Sequence, residues 1–525
     1  MNHTEIAPGI STAGQIRVED LAALKDCGIA TILCNRPDDE EPGQPGSEAI
    51  RMEAERLGLA FASIPIPLGP LDERIVIRTA QALEHLPRPI LAYCRSGARS
   101  TMAIDAARRL RQSGGGEGCD VLIIGGGAAG IATAASLLRR RPALSVTIVD
   151  PAGDHFYQPG WTMVGAGVFP PEATRRSMAS LIPAGAVWMR KSALAFVPES
   201  RKVIVSDGST LSYRVLVVAC GIKLDWDAIP GLAESLGSNG VTSNYRYDLA
   251  PYTHRLVSGL TGGRALFTQP PMPIKCAGAP QKAMYLSCDQ WRRAGRLPAI
   301  EVGFHSAAPA LFGVAAYVPP LMAYVERYGI DLTLQSRLIA VDGPGRLATF
   351  ERTLADGTTQ QEETGFDMLH VVPPQAAPDI IRASPLAAAN GFVDVDEATL
   401  RHTRFQDIFA LGDVCSASNA KTAAAARKQA PIVAENVLAT LDGRALPCVY
   451  DGYGSCPLTV ERGRIVLAEF GYGGTLLPTF PTWLLDGMKP TRRAWRLKET
   501  LLPFLYWNAM LKGREWLARP ARKAD

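Results

Sequence analysis

The 525-residue chain has no run approaching 18 consecutive apolar residues, which excludes a transmembrane helix of the usual kind. Its 10 cysteines contain no C-x-x-C pair, and the opening MNHTEIAPGI shows no secretory leader, which argues against a disulfide scaffold and a zinc ribbon. No metal centre is expected, and a reducing compartment is. Charge of one sign is lacking too: 55 basic against 51 acidic residues leave a formal net charge of +4, so no global field favours nucleic acid. The 49 glycines and 39 prolines are scattered, which removes collagen-like and low-complexity readings. What remains is 47% hydrophobic and 20% charged, enough for roughly two to four domains with large cores.

The clearest boundary is SGGGEG, residues 113–118, read as a linker because its glycines lose much entropy in any ordered element. Before it, residues 1–112 alternate short apolar runs (IATILCN, LAFASIPIP, PILAYC) with helix-period segments, the pattern of a small α/β domain. After it, CDVLIIGGGAAG opens a second α/β region, read as residues 119–474. From about residue 475 the character changes again, with four of the eight tryptophans (Trp483, Trp495, Trp507, Trp516) near the end.

A buried-strand run from Val121 to Ile124 meets Gly125, Gly126, Gly127 and Gly130 and then the helix-forming IATAASLLRR. This is G-x-G-x-x-G in its strand-turn-helix setting, where glycines admit a pyrophosphate to the helix N-terminus and Gly130 lets helix and strand pack. The next strand, SVTIVD, ends at Asp150, placed to accept from ribose hydroxyls. Gly412-Asp413 in FQDIFALGDV resembles the second FAD fingerprint of flavoproteins with two dinucleotide-binding domains, and YRVLVVACG resembles their intermediate motif, with Cys220 where threonine is commoner. FAD is therefore favoured over NAD. Where such proteins carry a second glycine fingerprint, GGRALFTQP runs into PPMPIKCAGAPQK, so the nicotinamide site is expected to be missing and Cys276 to meet a small electron donor.

On the runs HFYQPGWTMVGAG, PMPIKCAGAPQKAMY, MLHVVPP, GDVCSASNAKTAAA, YDGYGSCPLTVERGRIVLAEFGY and LLPFLYWNAMLKG, residues 119 to about 516 resemble sulfide:quinone oxidoreductases, in particular the group that includes the mitochondrial enzyme. The resemblance implies two cysteines beside FAD that carry a di- or trisulfide, attack by sulfide, and electrons passed by FAD to a membrane quinone. Cys276, next to Lys275 and near Lys282, suits that chemistry, because cations lower a thiol pKa. Cys415 is favoured as its partner, with Cys456 in GSCPL the alternative. Cys27, Cys34, Cys119, Cys220, Cys288 and Cys448 are expected in cores. Lys421, in NAKTAAA, is expected to stabilise negative charge on the reduced flavin. Gln158 is a flavin contact by resemblance, and Pro373, Pro374, Phe504, Tyr506 and Trp507 are candidates for a quinone pocket wall.

In the N-terminal region PRPILAYC leads into Arg95-Ser96-Gly97-Ala98-Arg99-Ser100 and a helix expected from Thr101. Such a loop turns backbone N–H groups inward at a helix N-terminus, which depresses the pKa of Cys94. C-x4-R is the spacing of a rhodanese-like sulfurtransferase loop, with Arg99 as the cation, whereas tyrosine phosphatases use C-x5-R. With ISTAGQI and NRPDDEEPGQPG, the region resembles a bacterial phosphatase-like family assigned to sulfur transfer, although Tyr93 stands where histidine is common. A phosphatase with Asp38 or Asp39 as acid, and an inert module, are the alternatives.

The fold class expected is thus α/β: a phosphatase-like domain, two Rossmann-like domains and a C-terminal amphipathic helical segment over residues 475–525. In that segment the apolar and tryptophan side chains, with Lys489, Arg492, Arg493, Arg496 and Lys498 on the polar face, suit the bilayer interface. A monotopic enzyme on the cytoplasmic face of the inner membrane follows, acting on sulfide and quinone with glutathione or sulfite as sulfane sulfur acceptor. A homo-oligomer stays open. The competing function is a quinone-linked NADH dehydrogenase with an N-terminal cysteine phosphatase.

Overall fold

The computed structural model describes residues 3–69, 71, 73–112 and 118–522; residues 113–117 of the expected linker lie outside them. The chain divides into two compact units, Met1–Gly118 with Lys191–Ser212, and Cys119–Arg190 with Tyr213–Asp525.

The first unit holds β1 (His3–Ala7), β2 (Ile10–Ala13), α1 (Asp20–Asp26), β3 (Thr31–Cys34), α2 (Ser47–Arg56), β4 (Ala60–Ser63), α3 (Glu73–His85), β5 (Ile90–Tyr93) and α4 (Ala98–Gln112). Its sheet has the order β1-β2-β5-β3-β4, parallel except for the β1–β2 pair. The unbroken apolar runs read in the sequence are explained by burial on both faces of a parallel sheet. Successive side chains alternate: Ile32, Cys34, Leu91 and Tyr93 pack with Leu21, Leu24 and Ile50 of α1 and α2, whereas Leu33, Ile90 and Ala92 pack with Leu83 and Ile104 of α3 and α4. The hairpin of Ala193–Val197 and Lys202–Val205 joins this second core through Ile204, Leu194 and Val197. Sequence gave no hint of that, because these residues lie far beyond the glycine stretch.

The second unit begins with β6 (Cys119–Ile124), α5 (Ala128–Arg140) and β7 (Val146–Val149). In its first parallel sheet the strand Ala186–Met189, β7, β6, the strand Thr210–Val218 and the strand Ile408–Ala410 lie side by side. A second parallel sheet has the order Val241–Thr242, Met368–His370, Gly263–Gln269, Ile300–Ser306, Asp331–Leu334. The helix Ala279–Arg293 follows Gly263–Gln269 and packs Met284, Cys288 and Trp291 into a core that also takes Cys456, Leu458 and Val460 from the antiparallel strand Gly454–Glu461.

The C-terminal segment corrects the expectation of one amphipathic stretch. Residues 475–490 run without helix, and a helical run follows: Arg492–Arg496, a π-turn Leu497–Leu501, Leu502–Asn508 and a 3-10 turn Met510–Lys512. Trp495 and Trp507 are buried, whereas Trp483 is 80% and Trp516 53% exposed. Lys498, expected on the polar face, is buried. Among the described residues no helix is long and apolar enough to cross a membrane.

Candidate active sites: two cysteine centres

β6 runs into Gly125, whose φ of 108° and whose closeness to Ala219 O, 2.5 Å from any added Cβ, both require glycine. A Cβ on Gly130 would fall 1.9 Å from Gly125 O, so α5 packs on the strand only with glycine there. Nothing lies within 4 Å of a Cβ position at Gly127, which leaves the α5 N-terminus open to an anion. Asp150, past the end of β7, accepts from the Gly126 N–H at 2.6 Å and the Ala152 N–H at 2.8 Å.

These residues line one cavity of about 510 Å³ that continues past Gly412, Asp413 and Lys421 to Cys276 and an apolar end formed by Phe480, Leu502 and Leu505. Burial raises the Asp413 carboxyl, and Lys421 and Lys275 oppose the rise. Lys421 Nζ donates to Cys415 O at 2.8 Å and lies 4.4 Å from the Phe392 ring centre, while Lys275 Nζ donates to Gln158 Oε1 at 2.7 Å. Of the proposed quinone wall only Tyr506 lines the cavity; Phe504 is exposed, and Pro373, Pro374 and Trp507 face elsewhere.

The sulfur centre is at the turn into the helix Ala279–Arg293. Cys276 has a left-handed φ of 51°, unusual for a residue with a Cβ, and is held there by its N–H on Lys421 O at 2.8 Å and by Tyr245 OH on its carbonyl at 3.2 Å. Its Sγ lies 3.5 Å from Cys456 Sγ and accepts from Lys282 Nζ at 3.1 Å. Gly278 makes room, since a Cβ there would stand 2.5 Å from the Cys456 sulfur. The hydrogen bond from Cys456, with Lys282 and Lys498 behind it, holds the Cys276 thiol well below its ordinary value and outweighs burial. The same bond and burial push Cys456 up. Burial, with Lys282 adding, lowers Lys498 to about 7.

The structure sets Cys456, and not the favoured Cys415, against Cys276: the buried Cys415 thiol donates to Gly412 O at 3.2 Å. Chain proximity to Asp413 had favoured it, but the strand Gly454–Glu461 crosses the helix Ala279–Arg293 and delivers Cys456 instead. Cys34, Cys119, Cys288 and Cys448 are buried as expected; Cys220 lines the cavity half-buried, and Cys27 is exposed rather than in a core. Lys498 is the residue sequence reading misplaced: expected on the polar face, it lies buried in a π-turn.

In the first unit Cys94 follows β5, and α4 begins at Ala98, earlier than Thr101, after Gly97 with φ of 88°. Burial alone would raise the Cys94 thiol, but the backbone N–H groups of Ser100 and Ser96, the Ser100 hydroxyl and the Arg99 N–H hold it below its ordinary value. Arg99 lies beside that sulfur, yet its fork is bidentate on Glu40 at 2.6 and 2.7 Å. Asp38 accepts from Ser47 N at 2.7 Å and Ser47 Oγ at 2.6 Å, tying it to the start of α2.

Two family profiles match: "Beta-lactamase hydrolase-like protein, phosphatase-like domain" over residues 3–109, and "Pyridine nucleotide-disulphide oxidoreductase" over residues 119–259. Fold and site thus define an FAD-dependent oxidoreductase of the two-dinucleotide-domain class behind a phosphatase-like domain. A mitochondrial sulfide:quinone oxidoreductase of Dictyostelium discoideum is 38% identical over 402 residues, covering 76% of this chain and 87% of that one. The chain belongs to the sulfide:quinone oxidoreductase family. The fold is shared with the sulfide:quinone oxidoreductase of Aquifex aeolicus (TM-score 0.61, 19% identity, 76% of this chain and 92% of that one). It is shared also with NDH2 of Plasmodium falciparum, solved with NADH (TM-score 0.55, 12% identity, 77% and 98%). Fold alone does not separate these two relatives; the 38% identity to the mitochondrial sulfide:quinone oxidoreductase does.

Proposed function

We propose that the protein oxidises sulfide at the Cys276–Cys456 pair and passes the electrons through FAD to a membrane quinone. The observation that carries this reading is the pair itself, two sulfurs 3.5 Å apart with a lysine ammonium 3.1 Å from Cys276, which lines the cavity that begins at the dinucleotide cradle. Two S–S bonds of about 2.05 Å, bent at a middle atom, span such a gap, so the pair suits one inserted sulfur. Hydrosulfide forms a bond to a sulfur of the oxidised pair, the bond to Cys276 breaks, and Cys276 leaves as a thiolate that Lys282 stabilises. The residues fit FAD: the α5 N-terminus and Asp150 suit its pyrophosphate and ribose, and Asp413 with Lys421 its flavin end. Once the added sulfur has passed from the persulfide to a thiol or sulfite acceptor, re-closing the bridge releases two electrons, which FAD bound there would accept and pass to the quinone. The exposed Trp483, Leu484, Met488 and Phe504, with Arg492, Arg493 and Arg496 nearby in the chain, support peripheral docking on a bilayer, where quinone dissolves.

In the same reading Cys94 carries the sulfane sulfur onward. Its thiolate bonds to the outer sulfur of a persulfide, the carrier thiolate leaves, and an acceptor such as sulfite or glutathione takes the sulfur and restores the Cys94 thiolate. The C-x4-R loop and the lowered thiol support this, and Asp38, committed to Ser47, does not favour a phosphatase. The test is an assay of the purified protein with a short-chain quinone: sulfide is expected to drive its reduction and NADH is not, whereas turnover with NADH alone overturns the reading.

A further inference from the structure

The Cys94 centre holds more charge than the reaction assigned to it uses. Arg99 Nη1 and Nη2 both bond Glu40, and Arg99 Nη1 also donates to Ile66 O at 2.6 Å, which fixes the guanidinium in place. Arg36, itself buried, donates to Glu40 at 2.9 Å and to Glu41 at 2.8 Å, and Arg95 pairs with Glu41 at 2.6 Å. Three guanidinium groups thus meet two carboxylates, with the Cys94 sulfur beside Arg99. The N–H fork suited to an oxoanion is occupied by a carboxylate from the chain's own β3–α2 loop.

We propose that Glu40 is a specificity gate: by occupying the Arg99 fork it turns away doubly charged oxoanions such as thiosulfate, sulfate and phosphate, and leaves Cys94 to thiol persulfides. The proposal rests on reading Cys94 as a sulfur carrier. Thiosulfate presents a sulfonate group that needs a free fork and brings two negative charges beside the Glu40 carboxylate. A persulfide R–S–S⁻ brings one, on a polarisable sulfur that the loop N–H groups hold. With either donor the Cys94 thiolate bonds to the sulfane sulfur, and sulfite or the carrier thiolate leaves with the electron pair. Arg99 and Arg36 hold the Glu40 carboxyl at about 2 against the pull of burial, so the gate stays charged at any working pH. Glu40 acts through Arg99 and is a positioning residue.

The experiment uses the full-length protein with Glu40→Gln, Glu40→Ala and Glu40→Asp, thiosulfate and glutathione persulfide as donors and cyanide as acceptor. Glu40→Gln and Glu40→Ala are expected to raise kcat/KM for thiosulfate at least about tenfold through KM, leaving the persulfide value within about threefold, because a charge-assisted pair has been released. Glu40→Asp keeps the charge and is expected to keep the wild-type preference. In parallel, sulfate is expected to slow iodoacetamide alkylation of Cys94 in Glu40→Gln and not in the wild type, a readout independent of sulfur transfer. An unchanged donor ratio together with unchanged sulfate protection overturns the gate. If neither donor loads Cys94 in any form while sulfate protection still appears on removing Glu40, the exclusion of oxoanions by Glu40 stands, and the sulfurtransferase reading falls together with the persulfide preference.

Discussion

The two cysteine centres make a thiolate by different means. At Cys94 the donors are backbone N–H groups of a loop entering α4, beside an arginine already neutralised by Glu40. At Cys276 they are side chains: a second thiol, Lys282 and the buried Lys498. A loop of amides is fixed by local sequence and does not titrate. A lysine pair and a thiol pair are assembled from distant segments and do titrate, so at the second centre the stabilising groups themselves change with pH, whereas at the first they do not.

The sharpest break of that comparison is at the thiol pair. Cys276→Ser or Cys456→Ser is expected to cut sulfide-dependent flavin reduction by about a thousandfold or more, since no bridge then forms, while Cys415→Ser stays within about threefold. Stopped-flow absorbance of the flavin checks this; a dead Cys415→Ser with an active Cys456→Ser reverses the assignment. Next comes Gly130→Ala, whose Cβ would meet Gly125 O at 1.9 Å. It is expected to yield protein with little bound FAD, read from the ratio of visible to ultraviolet absorbance.

The lysines separate the centres by pH. The Cys276 thiol is held low, so its thiolate persists as pH falls; Lys282→Met lets the value rise, and the acid limb of kcat/KM for sulfide is expected to move up by about one to two pH units. Lys498, lowered to about 7, loses its charge as pH rises through that value. Lys498→Arg is expected to extend activity on the alkaline side. Iodoacetamide rates at Cys94 stay unchanged in both variants, and a shift there breaks the contrast. Under the proposed bilayer docking, the smallest effect is expected of Trp483→Ala, about a few-fold weaker binding to anionic vesicles in flotation assays, because one of several exposed apolar side chains is lost.

What sequence made legible follows the same divide. The glycines at 125, 127 and 130, Asp150 and the Cys94 loop are contiguous motifs whose geometry is local, and the structure places them in strand-turn-helix settings. Cys456 is 180 residues from Cys276, and the choice between it and Cys415 depended on how a β-hairpin packs on a helix. Lys498 sat in a run of cations that reads as a solvated face; only the π-turn, which shifts the helical register, sends it inward. Glu40 was one acid among several in a loop, and its pairing with Arg99 spans 59 residues.

The turn at Cys276 is sewn to the strand-end loop that follows Asp413: Lys275 and Lys421 form a parallel bridge, and the Cys276 N–H bonds Lys421 O at 2.8 Å. One of these segments extends the second parallel sheet and the other the first. A backbone stitch of that kind forbids the two layers to part like a hinge at the reacting sulfur. Parting the layers at this point breaks that bond, so the turn that carries the sulfur is anchored to the elements of both sheets at once.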